Sequence, residues 1–434
     1  MPSHVTIDDW IARDAIPFQV DNPTSIDAAV DRIVGLLGPS VELLGFGEAL
    51  HGSEEILCIR NRLFQRLAEA HGYSAVVIEV TSPPARAIND YVLGGRERSD
   101  LAVEEWFGTG FGALDANREL VEWLREYNRD SGHSPKLHFY GFDLPLAHGG
   151  LASPSHTLDI VFAYIDSVDW AAARTHRERI SPLQGETGDW ERPGAWYDPS
   201  QSIGLSAQAT DLRIATLDLI AELRIRRPEL TAKSGPLAFA DALHHAELAR
   251  KLLDAHAAVA TPGAYARMLG IRDLIMADNL EHFLALERGR GKVLVFAASG
   301  HLKRGMTQWH LPPEPGVKEW WPAGAQVAQT HGPGYAVIAM ALGVSEPNGI
   351  GEPDPGTIEA RLATAGDALF IPTHRDSDSP VPDVQAVPVR SGSTLNPTYS
   401  VLTPGSFTEF DALVFLASTG YPRGAQPLTA WSGC

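Results

Sequence analysis

The sequence predicts an α/β fold: a mostly parallel sheet core built from two sequence-distant parts, with a mainly helical lobe inserted between them. Three observations predict it. Residues 41–80 read strand, helix, strand; buried apolar runs return after residue 290; and residues 150–290 show helical candidates but no clear strand. The first apolar run, Val41 to Phe46, ends at Gly47-Glu48-Ala49-Leu50-His51-Gly52, a strand running into a turn. Ser53 is placed to cap a helix, Glu54 and Glu55 suit its positive end, and Gly72 is placed to stop it. Ala75 to Val80 is a second buried run, and a strand-helix-strand unit of this length implies parallel pairing. Asn117 to Asn128 reads as helix and Lys136 to Asp143 as strand. Helical candidates follow at 206–226, 237–258 and 264–288, while 181–204, dominated by Gly, Pro, Ser and Trp, reads as a loop or flap. Strands return at Lys292 to Ala297, Tyr335 to Leu342, Ala368 to Ile371 and Ala412 to Leu416, with a surface loop at 372–397. The expected division is 1–149, 150–290 and 291–434.

Composition bounds the function classes. The chain has 434 residues, 44% hydrophobic and 21% charged, a balance that folds rather than stays disordered. Only two cysteines occur, Cys58 and Cys434, so neither a disulfide framework nor a cysteine-based zinc cluster can be built. Cys58 falls within the first helix and reads as a small core residue. The opening residues lack a basic stretch followed by an apolar one, and no run approaches the ~20 apolar residues of a membrane helix. A cytoplasmic location is expected from these features. With 35 Lys+Arg against 54 Asp+Glu, the net charge of −19 disfavours nucleic-acid and anionic-membrane partners and leaves a small-molecule substrate as the expected one.

Polar residues fall at the C-terminal ends of the apolar runs, where ligands bind in open α/β sheets. Glu48 and His51 follow the first run, Glu79 sits in the second, Asp143 ends the third, and His301 follows Val293 to Gly300. Arg60 falls in the apolar stripe of Ile56, Leu63 and Leu67, and a buried guanidinium calls for a carboxylate partner, with Glu48 and Glu79 nearest in sequence. Arg62 falls with Arg66 and Glu69 on another face and reads as solvated. A histidine among carboxylates suits proton transfer: His51 can take a proton from water, and Arg60 or His301 can stabilise an oxyanion. No Gly-x-Ser-x-Gly elbow, phosphate loop, dinucleotide fingerprint or His-Glu-x-x-His zinc motif is present, and neither a cofactor nor a metal is expected. His244-His245 reads as a solvated or core pair.

The run Gly47 to Glu55, then Arg60, then Glu79, resembles the erythromycin esterase family, and Phe139 to Asp143, Arg272 to Asn279 and Asp411 to Leu413 are similar to further family segments. The resemblance spans roughly residues 30–420. It implies metal-independent hydrolysis of a macrolide lactone, with His51 as general base on water and Glu48, Arg60 and Glu79 in the catalytic cluster. It also implies a wide cleft for a bulky, mostly apolar substrate. Trp106, Phe107, Trp309, Trp320 and Trp321 are aromatic candidates for it, with ordinary core packing the simpler role for each, and Asp143 a polar one.

One departure stands out. Where many family members carry His-Asn-x-His, this chain has Ala298-Ser299-Gly300-His301. Alanine neither donates a hydrogen bond nor holds a proton, so the reaction is expected to be changed or slowed if the first histidine of that motif serves the chemistry. Three functions follow: an ester or lactone hydrolase; a biosynthetic tailoring enzyme using the same cluster for cyclisation, dehydration or isomerisation; and a ligand-sequestering protein without turnover.

Overall fold

A computed structural model describes residues 5–97, 107, 114–168, 170–309, 316–373, 382–396 and 398–420. The chain divides into two compact units: Met1–Phe142 with Phe283–Thr307 and Trp321–Cys434, and Asp143–His282 with Gln308–Trp320.

The first unit is built on an eight-stranded sheet. Its strands are β1 (Ile16–Pro17), β2 (Leu43–Glu48), β3 (Tyr73–Thr81), β4 (His138–Asp143), β5 (Lys292–Ala298), β6 (Tyr335–Val344), β7 (Ala368–Pro372) and β8 (Ala412–Ser418). Their spatial order is β1-β7-β8-β6-β2-β5-β3-β4. Pairing is parallel from β8 through β6, β2 and β5 to β3, and antiparallel at β7, which pairs with β8 and β1. The fold is therefore α/β with a mostly parallel sheet, as read from the sequence. The continuous apolar runs follow from burial on both faces: β2, β6 and β7 are buried at nearly every position. Each fully buried Leu, Val or Phe here contributes about 1.5–3 kcal/mol.

The Glu54–Ala70 helix links β2 to β3. Ser53 occupies its cap position, but its hydroxyl donates to Glu55 Oε2 at 3.0 Å instead of accepting from the helix. Gly72, at φ 74°, makes the turn into β3. Arg62 and Arg66 remain partly exposed and pair with Asp27 and Asp31 of the Pro23–Leu37 helix. Cys58 is exposed, so it does not serve as a core residue. Arg390 shows that the 372–397 segment is not all surface: buried, its guanidinium donates to the carbonyls of Leu342, Gly343 and Gly351.

The second unit is mainly helical, with Pro154–Val168, Trp170–Gln184, Ala207–Ile225, Arg227–Ser234, Pro236–Val259 and most of Tyr265–Glu287. Its apolar clusters centre on Leu212, Leu219 and Leu253, and on Leu252, Met268 and Ile275. Residues 181–204 are not a free flap. Trp190 is buried against His256, and Glu191 accepts from Ser153 N, His148 Nδ1 and His156 Nε2 at 2.9, 2.9 and 3.0 Å. Among the described residues, no helix is long and apolar enough to cross a membrane.

His256 makes this unit pH-sensitive. Its Nε2 donates to Ala152 O at 2.9 Å, and burial pulls its pKa from 6.5 down to about 4. Between those values the unfolded chain takes a proton that the folded chain refuses. This contribution is complete above pH 6.5 and is lost as pH falls towards 4, to a total of about 3 kcal/mol. Urea unfolding of His256→Gln at pH 7 and pH 4 should show a stability loss smaller by that amount than in the wild type. Parallel losses in the two proteins would contradict the assignment.

Candidate active site

Three neighbouring strand ends bring the predicted cluster together within the first unit. Glu48 ends β2 and lies in register with Ala298, which ends β5; Glu79 lies near the end of β3, on the other side of β5. Two features of the backbone allow this convergence. Gly47 faces the Ser299–Leu302 turn so closely that a Cβ there would sit 2.7 Å from Ser299 Oγ and 2.9 Å from Ser299 Cα. Gly52, at φ 84°, reverses the chain after His51 in a conformation that other residues rarely adopt.

His51 Nδ1 donates to Glu48 Oε1 at 2.5 Å. The Glu48 side chain is buried, and the imidazole is about a quarter exposed at 24%. Burial pushes the Glu48 carboxyl above its ordinary value, while His51 and Arg60 oppose that rise. A second acid–imidazole pair stands beside it: His301 Nε2 lies 3.5 Å from Glu79 Oε1, and Glu79 Oε2 accepts from Ala298 N at 2.8 Å. Ser299 Oγ donates to the Glu48 main-chain oxygen at 3.0 Å, joining the β5 end to the β2 end. The Ala298 and Ser299 departures therefore fall inside the cluster itself.

Arg60 is buried as predicted, but its partners differ. Among the described residues it bonds amide oxygens: Asn117 Oδ1 from Nη1 at 2.8 Å, and Asn61 Oδ1 from Nε and Nη2 at 3.0 and 2.7 Å. Its guanidinium also lies 5.0 Å from the Phe296 ring centroid. Burial lowers its pKa to about 10. Neutral amides leave its charge unquenched, so it acts on Glu48 through space instead of in a contact ion pair. Asn61 and Asn117 are the residues that sequence reasoning missed. Asn117 is 57 positions away on the Asp115–Arg129 helix, and only the tertiary fold reveals it.

The other candidates are placed differently. Phe107 is buried edge-on against Phe139, with centroids 5.7 Å apart, and belongs to the core of the first unit. Trp106 lies outside the described residues. Asp143 is held in the second unit by Arg272, at 2.7 and 2.9 Å, and by Leu144 N. Trp309 packs in the second unit near Trp320 and Tyr265. Trp320 is buried and donates Nε1 to Asp273 Oδ2 at 2.5 Å, a structural role, whereas Trp321 is 58% exposed. Among the described residues, no group of three or more His, Cys, Asp or Glu side chains is arranged to hold a metal ion.

Comparison with known proteins places this geometry in context. The family model described as erythromycin esterase matches residues 68–419. A solved structure of a Bacillus cereus protein is similar over 97% of this chain and 98% of its own, with a TM-score of 0.75 at 20% identity. A structure described as a succinoglycan biosynthesis protein has a TM-score of 0.70 at 18% identity, covering 95% of this chain and 97% of its own. A His-to-Asn mutant of the erythromycin esterase EreC in its open conformation has a TM-score of 0.66 at 19% identity, covering 91% and 94%. At these identities the structural likeness is one of fold.

Proposed function

The chain belongs to the erythromycin esterase family, and from that premise we propose that it is a metal-independent hydrolase of an ester or lactone in a bulky natural product. The observation that carries this reading is the 2.5 Å bond from His51 Nδ1 to the buried Glu48 carboxylate. That bond fixes ring orientation and tautomer, so Nε2 is the nitrogen that takes the proton. In the proposed reaction His51 Nε2 removes a proton from water as the water oxygen attacks the acyl carbon. Glu48 stabilises the resulting imidazolium. The tetrahedral oxyanion then collapses, the C–O bond to the alcohol breaks, and the alkoxide receives a proton from an imidazolium. His301, whose Nε2 lies 3.5 Å from Glu79 Oε1, serves the oxyanion or that leaving oxygen in this reading. Arg60 contributes positive potential from within the core.

Ala298 favours a second reading. With no imidazole at that position, the same cluster can serve a tailoring reaction in which a substrate hydroxyl replaces water. Product mass separates the two. Incubation with a macrolide lactone such as erythromycin should yield the ring-opened acid, heavier by one water. A product of unchanged mass and new retention time supports the tailoring reading, and binding without any product refutes both.

A further inference from the structure

The helical unit contains an open cavity of about 290 Å³ that plays no part in the chemistry above. It is lined by Arg227 and Thr231 from the Arg227–Ser234 helix, by Phe239, His244 and Glu247 from the Pro236–Val259 helix, and by His282. Among the described residues, three of its polar groups have no side-chain hydrogen-bond or ion-pair partner. Among the described residues, the side chains of Arg227 and His244 make no hydrogen bond or ion pair. Thr231 Oγ1 is buried without a hydrogen-bond partner. A ligand oxygen would give that buried hydroxyl the partner it lacks.

The unsatisfied groups share one chemistry. A guanidinium, a hydroxyl and an imidazole N–H all donate to oxygen. The His244 ring stacks flat on His282, with centroids 4.0 Å apart and planes 4° apart, which fixes the direction of its nitrogens. Burial holds the His244 pKa well below 6.5, so the ring is neutral and offers one N–H. The long helix begins here at Pro236, with Gly235 at its cap and no side chain accepting from its first turn, which adds positive potential. Acidic groups are nearby but occupied. Glu247 accepts from Arg224 at 2.5 Å, and Asp241 lies 3.5 Å from His245 and 3.7 Å from His282.

The geometry points to a binding site for a small oxyanion, a phosphate or a carboxylate, held by Arg227, Thr231 and His244 in this cavity. The test is calorimetric titration of the full chain with inorganic phosphate and, separately, with benzoate. The site takes up at least one of the two saturably, and the arm that responds identifies the headgroup. Arg227→Ala, a change at an exposed residue, weakens that binding at least tenfold. Glu247→Gln, which removes the carboxylate from the lining, tightens it. His51→Ala leaves it unchanged, which separates this site from the catalytic cluster. Absence of saturable binding of both anions, or binding that Arg227→Ala leaves intact, overturns the assignment.

Discussion

Glu48→Gln is expected to lower turnover about 10²–10⁴-fold at neutral pH without loss of stability. Glutamine keeps the shape of the side chain and can still accept from His51 Nδ1. It cannot stabilise the imidazolium that forms when His51 takes a proton. The stability side follows from the carboxyl's environment. Burial raises its pKa in the folded state above the ordinary value, so the ionised form is disfavoured by folding at neutral pH. A neutral isostere removes that cost. Turnover numbers and thermal melts of the two proteins check both halves. An unchanged rate would remove Glu48 from the mechanism, and a large loss of stability would make its role structural.

Arg60→Met should cut activity at pH 7 at least tenfold and move the acidic limb of the pH–rate profile upward. The guanidinium lowers the Glu48 pKa through space, and methionine removes that help. Two stability effects oppose each other. Relief of the buried charge, whose pKa has fallen from 12.5 to about 10, is worth about 3 kcal/mol. The substitution also removes the Arg60 hydrogen bonds to the Asn61 and Asn117 oxygens, at about 1–3 kcal/mol each. The net change should lie between a gain of about 1 and a loss of about 3 kcal/mol. A purely structural role would not move the pH profile, so that shift is the decisive readout, followed by the rate between pH 5 and pH 9.

Seven of the eight strands were legible, most of them because both-face burial writes itself as an uninterrupted apolar run, as in Val293 to Ala297 and Ala412 to Leu416. The eighth, Ile16–Pro17, is two residues long and carries no periodicity to read. Glu48 and His51 were legible as a pair because three positions of turn separate them. The partner set of Arg60 was not, since a sequence pattern shows that a cation is buried without showing what receives it. Residues 181–204 misled for a compositional reason. Gly, Pro and Trp mark irregular backbone, and irregular backbone can still be pinned, here by Trp190 and Glu191. Phe107 takes the simpler of its two readings, core packing, over a place in the cleft, because an aromatic ring that fills a core and one that lines a cleft look the same in sequence.

The proposed chemistry rests on a single imidazole, and the rate of macrolide ring opening by His51→Ala measures its role most directly. The predicted result is a folded protein whose hydrolysis is at least about 10³-fold slower than wild type. A variant that opens the lactone at the wild-type rate would show that the proton is taken elsewhere.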